Sequence, residues 1–222
     1  MQRPIFVTFD CYNTLVEFQR PIDQVTRQIL GSHAGHIDVD DFLRAFADLR
    51  YQTILGFYRP YHEVLRQSLA QTMRRFRLPY QDEDGATLVA AVPSFGPFPE
   101  VPAALERLRQ RCKIVVISNT DDDIIAGNMR NIGVPFDHVI TSEQARAYKP
   151  SPVIFRYALQ TLGCDAGEIL HVAQGFEYDI IPAHREGWAQ VWINRYGKTG
   201  DPAYGPYHEL PDLSRLPELI GM

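Results

Sequence analysis

Short apolar runs recur along the chain, and most of them are followed by a segment with helical spacing of its apolar residues. Continuous rather than alternating hydrophobicity is typical of parallel strands that are covered on both faces. Gly133, Gly163 and Gly187 stand where the intervening helices should end. The pattern therefore predicts an α/β fold with a parallel sheet. The predicted strands are IFVTF (5–9), KIVVIS (113–118), HVI (138–140), ILHVA (169–173) and AQVWI (189–193).

The stretch between the first two predicted strands breaks this rhythm. Residues 16–95 contain no convincing strand and show successive helical patterns instead. A Pro- and Gly-rich stretch, PSFGPFPEVP at 93–102, leads back towards the second strand. We therefore predict a helical cap over 16–95 and an α/β core formed by 1–15 and 96–222. The tail of the chain is predicted to be mostly loop with a short final helix.

Composition narrows the class of protein. The chain has 222 residues, 45% of them hydrophobic, and a formal net charge of -5. Such a balance disfavours nucleic acid and anionic membrane surfaces as partners, and we expect neither. No apolar run reaches the roughly 18 residues that a membrane span needs. The N-terminus shows no signal-peptide pattern, and the cysteines form no C-x-x-C pair, so we expect a cytoplasmic protein.

Polar residues follow the predicted strands where each strand ends. Asp10 follows the first strand, Ser118 and Asn119 the second, Lys149 the third and Asp179 the fourth. Ligands of open parallel sheets bind beyond the carboxyl ends of the strands, so we expect these side chains to meet in one crevice. An opposite charge nearby lowers a carboxyl pKa, so we expect Lys149 to hold Asp10 ionised.

The motifs FDCYNTL, ISNTD, YKPSP, HVAQGFEYDIIPA and VWIN, in this order, resemble the haloacid dehalogenase superfamily. More narrowly, they are similar to the type II 2-haloacid dehalogenases, and the resemblance covers nearly the whole chain. It implies a Rossmann-like parallel sheet under a helical cap inserted after strand 1. It also implies a hydrolase that displaces the 2-halide of a small carboxylic acid through an aspartyl ester, giving a 2-hydroxy acid. Similar dehalogenases are often homodimers, so a homodimer is a possible assembly.

The resemblance assigns roles to residues of this chain. Asp10 is the expected nucleophile, Thr14 and Lys149 its hydrogen-bonding partners, and Asp179 the group that orients Lys149 or the attacking water. An arginine from an early cap helix is expected to hold the halide, and either Arg44 or Arg50 fits that role. The other residues predicted to contact the substrate are Cys11, Tyr12, Tyr61, Ser118, Asn119 and Glu177.

Two positions argue against a metal cofactor. Superfamily phosphatases carry a second aspartate two residues after the nucleophile, where this chain has Tyr12, and an acidic ligand where it has Gln174. Mg²⁺ needs a shell of hard oxygen ligands, usually with one or two carboxylates. We therefore predict catalysis without a cofactor, although Asp10 with Asp179 could still hold Mg²⁺ weakly. A Mg²⁺-dependent phosphatase stays as a less favoured alternative.

The fourth motif also departs from the family. Related dehalogenases place a small hydroxyl residue or Asn near Gly175 and Phe176, which helps to position the hydrolytic water. Glu177 would repel a haloacid carboxylate and attract an ammonium. A strained cyclic amino acid such as azetidine-2-carboxylate is therefore an alternative substrate, with Glu17, Asp121 or Glu177 receiving its ammonium. A non-enzymatic protein that binds a small acid or a protein partner is a further alternative.

Overall fold

The computed structural model describes residues 4–221. Its centre is a six-stranded parallel sheet in the order β3-β2-β1-β4-β5-β6. The predicted α/β class is confirmed, and five of the strands lie where the apolar runs indicate. The sixth is not predicted, because its three residues are polar or half-exposed. The strands are β1 (Phe6–Phe9), β2 (Lys113–Ser118), β3 (His138–Thr141), β4 (Ile169–Ala173), β5 (Ala189–Ile193) and β6 (His208–Leu210).

Strand β1 lies at the point where the strand order reverses. Its last residue, Phe9, is in register with Val116 of β2 on one side and with Val172 of β4 on the other. All four residues of β1 are buried, as expected for a central strand covered on both faces. A residue that directly follows β1 therefore enters the crevice at the switch point, and that residue is Asp10.

Helices fill the segment between β1 and the rest of the sheet. Their apolar faces are continuous with the core, because Ile22, Phe46 and Leu65 belong to the same buried cluster as Val7 and Phe9. These four helices are α1 (Gln19–Leu30), α2 (Val39–Ile54), α3 (Tyr61–Arg75) and α4 (Asp82–Ala91).

Two linkers join this helical segment to the sheet, and they pair with each other. The Glu17 N–H donates to the carbonyl of Gly96, and the Phe98 N–H donates to the carbonyl of Leu15, both at 3.0 Å. The pairing lies at the predicted boundary between core and cap. The two linkers are thereby hydrogen-bonded to each other where the helical segment joins the sheet.

The remaining helices flank the sheet, and Gly133 and Gly163 cap two of them with positive φ angles of 72° and 62°. A π-helical turn, Phe176–Ile180, precedes the ninth helix. Between residues 4 and 221, no helix has the length and apolar character to cross a bilayer. These helices are α5 (Val101–Leu108), α6 (Asp122–Ile132), α7 (Ser142–Ala145), α8 (Pro152–Leu162), α9 (Ile181–Arg185) and α10 (Leu216–Leu219).

Candidate active site

The loop after β1 folds into a tight turn that brings Thr14 back to Asp10. The carbonyl of Cys11 accepts hydrogen bonds from the N–H groups of Thr14, Leu15 and Val16. Asn13 has a φ of 63°, a left-handed conformation that asparagine tolerates better than most residues. The Thr14 hydroxyl donates to Asp10 Oδ2 at 2.7 Å, as the sequence predicted.

Lys149 joins Asp10 to Asp179. Its ammonium donates to Oδ1 of Asp10 at 2.8 Å, to Oδ1 of Asp179 at 2.7 Å and to the carbonyl of Ile117 at 2.8 Å. All three ammonium protons therefore have acceptors, although only 1% of the Lys149 side chain is exposed. A buried ion is tolerated when it is paired and fully hydrogen-bonded, and this geometry meets both conditions.

The Asn119 side chain is hydrogen-bonded to the backbone of Lys149, whereas it was predicted to contact the substrate. Its Oδ1 accepts from the Lys149 N–H at 2.7 Å, and its Nδ2 donates to the Lys149 carbonyl at 2.9 Å. Both ends of the amide are used in this way, although Asn119 also lines the cavity described below. Its first effect in the resting structure is therefore to fix Lys149, a role that the sequence did not predict.

Asp179 comes from the π-helical turn, and its approach explains the glycine in the fourth motif. A Cβ atom on Gly175 would lie 2.6 Å from Asp179 Oδ2, closer than real Cβ contacts occur. A side chain at position 175 would therefore require the Asp179 carboxylate to move. Asp179 Oδ1 also lies 3.0 Å from Nε2 of His171, a contact that the sequence did not suggest.

The three charged groups shift one another's pKa values. Burial would lower the pKa of Lys149, but the charges of Asp10 and Asp179 outweigh it and raise that pKa. Burial would raise the pKa of Asp179, but the Lys149 charge and the His171 hydrogen bond outweigh it and lower that pKa. For Asp10, burial prevails over Lys149 and raises the pKa, against our expectation of a lowered value. The pKa values of the two carboxyl groups are therefore shifted in opposite directions.

A cavity of about 130 Å³ opens onto these groups and is lined by Asp10, Asn119, Lys149, Gln174 and Asp179 on the core side. The cap and the linkers contribute mainly aromatic and apolar side chains. The Tyr12 ring packs against Phe18 with centroids 4.6 Å apart and against Tyr61 at 6.4 Å. The Tyr12 hydroxyl donates to Asn128 Oδ1 at 3.0 Å and lies 3.3 Å from the Thr120 hydroxyl. Tyr12 and Tyr61 therefore form an aromatic wall, as predicted.

The two candidate arginines of α2 lie in different places. Arg50 lines the cavity, with its guanidinium 5.0 Å from the Phe18 ring centroid and 5.3 Å from that of Phe46. Its Nη1 is buried and has no hydrogen-bond partner among residues 4–221. Arg44 is exposed and forms an ion pair with Asp41 on the surface of α2. Only Arg50 of the two is brought to the site.

Three other predicted contacts lie outside the cavity lining. Cys11 is fully buried in the core, where burial raises the pKa of its thiol. Ser118 is fully buried, and its hydroxyl has no hydrogen-bond partner within the described part of the chain. Glu177 is exposed and accepts a hydrogen bond from the Tyr51 hydroxyl at 3.0 Å, a contact between α2 and the π-helical turn.

Sequence reasoning missed several residues that belong to the site. His171 is the first residue of the motif HVAQGFEYDIIPA but was given no role there; it shares the register position of Thr8 across β1 and β4, and the two side chains lie 2.8 Å apart. Two polar residues at matching positions of two buried strands are the signal that could have revealed it. The further lining residues that were not predicted are Asn13, Phe18, Ile54, Gln174, Gly175 and Tyr178.

Known proteins resemble this chain over most of its length. A model of the haloacid dehalogenase-like hydrolases matches residues 6–187. The chain is 29% identical to haloacetate dehalogenase H-2 of Moraxella sp. (strain B), with 97% of each chain covered. It is 26% identical to an (S)-2-haloacid dehalogenase of Pseudomonas sp. (strain YL), over 96% of this chain and 93% of that one.

The fold has a close counterpart among solved structures. The L-2-haloacid dehalogenase of Xanthobacter autotrophicus superposes with a TM-score of 0.82 at 21% identity, with 99% of each chain covered. The family model spans most of the 222 residues and includes Asp10, Lys149 and Asp179. The chain therefore belongs to the haloacid dehalogenase-like hydrolases and is an enzyme of that hydrolase family.

Proposed function

We propose that this enzyme hydrolyses small 2-haloacids through an ester on Asp10, releasing halide and a 2-hydroxy acid. One observation carries the proposal: a buried carboxylate, held from both oxygens by Thr14 and Lys149, borders a small cavity that also holds the unpartnered Arg50 guanidinium. A positioned carboxylate can act as a nucleophile, and a half-buried cation that forms no ion pair with the described residues favours an anionic ligand. The names of the two curated relatives support the same substrate class.

In the first half-reaction, one oxygen of Asp10 attacks C2 of the haloacid. The new C–O bond forms as the carbon–halogen bond breaks, and the halide leaves from the opposite face with the bonding electrons. Asp10 loses its charge in this step, so Lys149 keeps Asp179 as its only anionic partner. The aromatic wall excludes water from the reacting carbon, which strengthens the electrostatic interactions within the cavity.

In the second half-reaction, water attacks Cγ of the Asp10 ester. The acyl–oxygen bond breaks, so the product leaves with an oxygen that came from Asp10, and Asp10 receives the oxygen of water. Asp179 Oδ2 forms no hydrogen bond to the described residues, which leaves it available to take the proton from this water. One proton is released to solvent in each turnover, together with one halide ion.

The cavity limits the size of the substrate. Its volume is about 130 Å³. That space suits an acid with two or three carbons, and we propose that haloacetates and 2-halopropionates fit whereas longer chains clash with Tyr61 or Ile54. Arg50 would bind either the carboxylate or the departing halide through charge-assisted hydrogen bonds.

We further propose that no metal takes part. Lys149 already pairs with Oδ1 of Asp10 and with Oδ1 of Asp179, the two carboxylates that would have to hold a divalent ion, and the hydroxyl of Tyr12 donates to Asn128. The donor set therefore does not fit Mg²⁺, and the phosphatase alternative loses its ligand and its general acid together. EDTA is expected to leave the rate unchanged; a large loss that Mg²⁺ restores would contradict this.

Nothing in the cavity favours the ring-opening alternative. Glu17 pairs with Arg20, Asp121 accepts hydrogen bonds from the first N–H groups of α3, and Glu177 accepts from Tyr51. None of the three carboxylates lines the cavity, so no ammonium subsite is formed by them.

Single turnover in ¹⁸O-water with enzyme in excess tests the proposal. The substrates are chloroacetate, fluoroacetate, L-2-chloropropionate and azetidine-2-carboxylate, with mass spectrometry of both product and protein. We expect unlabelled hydroxy acid from a haloacid and label in Asp10. Label that enters the product directly would mean that water attacks the substrate, with Asp10 as a base. Turnover of azetidine-2-carboxylate alone would replace the substrate class.

A further inference from the structure

His171 is buried in β4 and bridges two polar groups. Its side chain has no exposed surface. Nδ1 lies 2.8 Å from the Thr8 hydroxyl in β1, and Nε2 lies 3.0 Å from Asp179 Oδ1. The ring centroids of Phe155 and Trp188 lie 6.0 and 5.8 Å from that of His171, and the buried Gln190 is its register neighbour on β5. His171 does not line the cavity, so it acts on the substrate only through Asp179.

The hydrogen-bond roles along this chain follow from the charge of Asp179. An ionised carboxylate only accepts, so Nε2 of His171 must carry the proton that it shares with Asp179 Oδ1. In a neutral ring Nδ1 is then an acceptor, and the Thr8 hydroxyl donates to it. Every donor therefore points from Thr8 through His171 towards Asp179.

The two oxygens of Asp179 consequently have different surroundings. Oδ1 accepts from both Lys149 and His171, whereas Oδ2 accepts nothing from residues 4–221. The carboxylate borders the cavity, and Oδ2 is the oxygen next to Gly175. Two donors on one oxygen fix the carboxylate plane and leave the other oxygen open to a water molecule.

We propose that His171 is a positioning residue for the second half-reaction, which aims Asp179 Oδ2 at the water that hydrolyses the Asp10 ester. The inference rests on the proposed function and adds how water is positioned in a chain that has Gly175 and Phe176 in its fourth motif. Asp179 Oδ2 takes a proton as the water oxygen bonds to Cγ of Asp10. The same proton passes to the product alkoxide as the acyl–oxygen bond breaks.

This role separates the two half-reactions. Ester formation uses Asp10, whose hydrogen bonds come from Thr14 and Lys149, neither of which is hydrogen-bonded to His171. Ester hydrolysis uses Asp179, whose orientation would then rest on Lys149 alone. A purely structural role of His171 would slow both steps together or neither of them.

The test uses three variants and rapid-quench mass spectrometry of the intact protein with chloroacetate. His171→Phe keeps an aromatic ring against Phe155 and Trp188 but removes the donor. His171→Gln can restore an N–H near the position of Nε2. Thr8→Val, which is nearly isosteric, removes only the outer hydroxyl. Thermal denaturation of each variant accompanies the kinetics and reports whether the core has remained intact.

For His171→Phe we expect ester formation within about threefold of wild type and ester hydrolysis slower by about tenfold to hundredfold, with the ester accumulating. His171→Gln should recover most of the loss, and Thr8→Val should slow hydrolysis by less than about fivefold. Equal slowing of both steps in His171→Phe, or no slowing of hydrolysis, would overturn the proposal.

A second measurement needs no substrate and therefore separates this inference from the proposed function. Nitrogen-15 NMR of the resting enzyme should show His171 as the neutral tautomer with the proton on Nε2, and its resonances should move in Asp179→Asn. A proton on Nδ1 of a neutral ring would overturn the inference. If wild type forms no ester with any haloacid, the proposed function fails, and the NMR result still decides whether His171 donates a hydrogen bond to Asp179.

Discussion

The core side and the cap side of the cavity differ in how completely their charged groups are partnered. On the core side, Lys149 meets three acceptors, and Asp10 is hydrogen-bonded through both oxygens. On the cap side, Arg50 has no ion-pair partner among the described residues and rests against aromatic rings. The core side is therefore assembled before a substrate arrives, whereas the cap side has an unused binding capacity.

This difference has a physical basis. A nucleophile must be held in one geometry in advance, because reorganisation during the reaction would add to the barrier. A cation binds an anionic ligand most tightly when it has no carboxylate partner beforehand, because such a partner would first have to be displaced. The core side should therefore control the chemical steps, and the cap side should control substrate binding.

The largest effect is expected from Asp10→Asn. The amide keeps the shape of the side chain but cannot attack C2, so turnover should fall by about 10⁴-fold or more while the protein remains folded. Halide release measures the rate, and circular dichroism verifies the fold. The introduced amide can hydrolyse slowly back to the native carboxylate, so freshly purified protein is used. Activity within tenfold of wild type would rule out Asp10 as the nucleophile.

Lys149→Met should have the next largest effect. It leaves two buried carboxylates without their shared cation, which typically costs about 3–5 kcal/mol of stability and would misplace Asp10. We expect kcat to fall by about 10³-fold and urea unfolding to shift to lower concentration. Lys113→Met is the matched control, because Lys113 is exposed at the start of β2. Near-normal kcat in Lys149→Met would mean that the core network is not required for chemistry.

Arg50→Met sharpens the comparison from the cap side. Loss of a charge-assisted hydrogen bond should raise KM by about tenfold to hundredfold with a smaller effect on stability. Arg44→Met on the same helix is the matched control, since Arg44 is exposed and paired with Asp41. We expect that control to stay within about twofold of wild type. The reverse result would place the anion-binding role on Arg44.

The choice between these arginines was within reach of the sequence. Phe42 and Phe46 are two of the buried residues of α2 and lie one turn apart, and Arg50 lies one turn further along the same side. Arg44 falls on the opposite face, because two residues correspond to about 200° of helical rotation. The helical period of α2 therefore favours Arg50 over Arg44 as the arginine that faces the cavity.

The features of the site and the fold differ in how far the sequence predicts them. Asp10, Lys149 and Asp179 were predictable because residues after parallel strands converge at one edge of the sheet. β6 was not, because HEL carries no apolar run and pairs only with β5. The double use of the Asn119 amide on Lys149 was also beyond the pattern, since it depends on the path of the loop after β3.

The decline of the rate of ester formation at low pH, the acid limb of the pH profile, reports which of the two core-side carboxylates, Asp10 or Asp179, becomes protonated. Ester formation requires ionised Asp10, and burial raises the pKa of that group. As the pH falls, the rate of ester formation should therefore begin to decline at a pH above about 3.9, the ordinary pKa of aspartate. Asp179, whose pKa Lys149 lowers against the effect of burial, should still be ionised there. Single-turnover rates between pH 4 and 8 in a constant-ionic-strength buffer measure the limb. A limb at or below the ordinary value would contradict the shift.

Tyr12→Phe is expected to have the smallest effect on the rate. It tests whether Tyr12 only lines the cavity or donates a proton in the reaction. The Tyr12 hydroxyl donates to Asn128 and lies near Thr120, so it faces the core and not a leaving group. Burial raises the pKa of this hydroxyl well above its ordinary value, so it stays neutral over the working range. Its removal should cost about 1–2 kcal/mol of stability, because Asn128 Oδ1 loses a donor, while kcat changes by less than about threefold. Urea unfolding and halide release give the two numbers. If kcat fell by much more than about threefold while the stability loss stayed at about 1–2 kcal/mol, the hydroxyl would be taking part in catalysis. Tyr12 would then belong to the reactive side of the cavity and not to its wall.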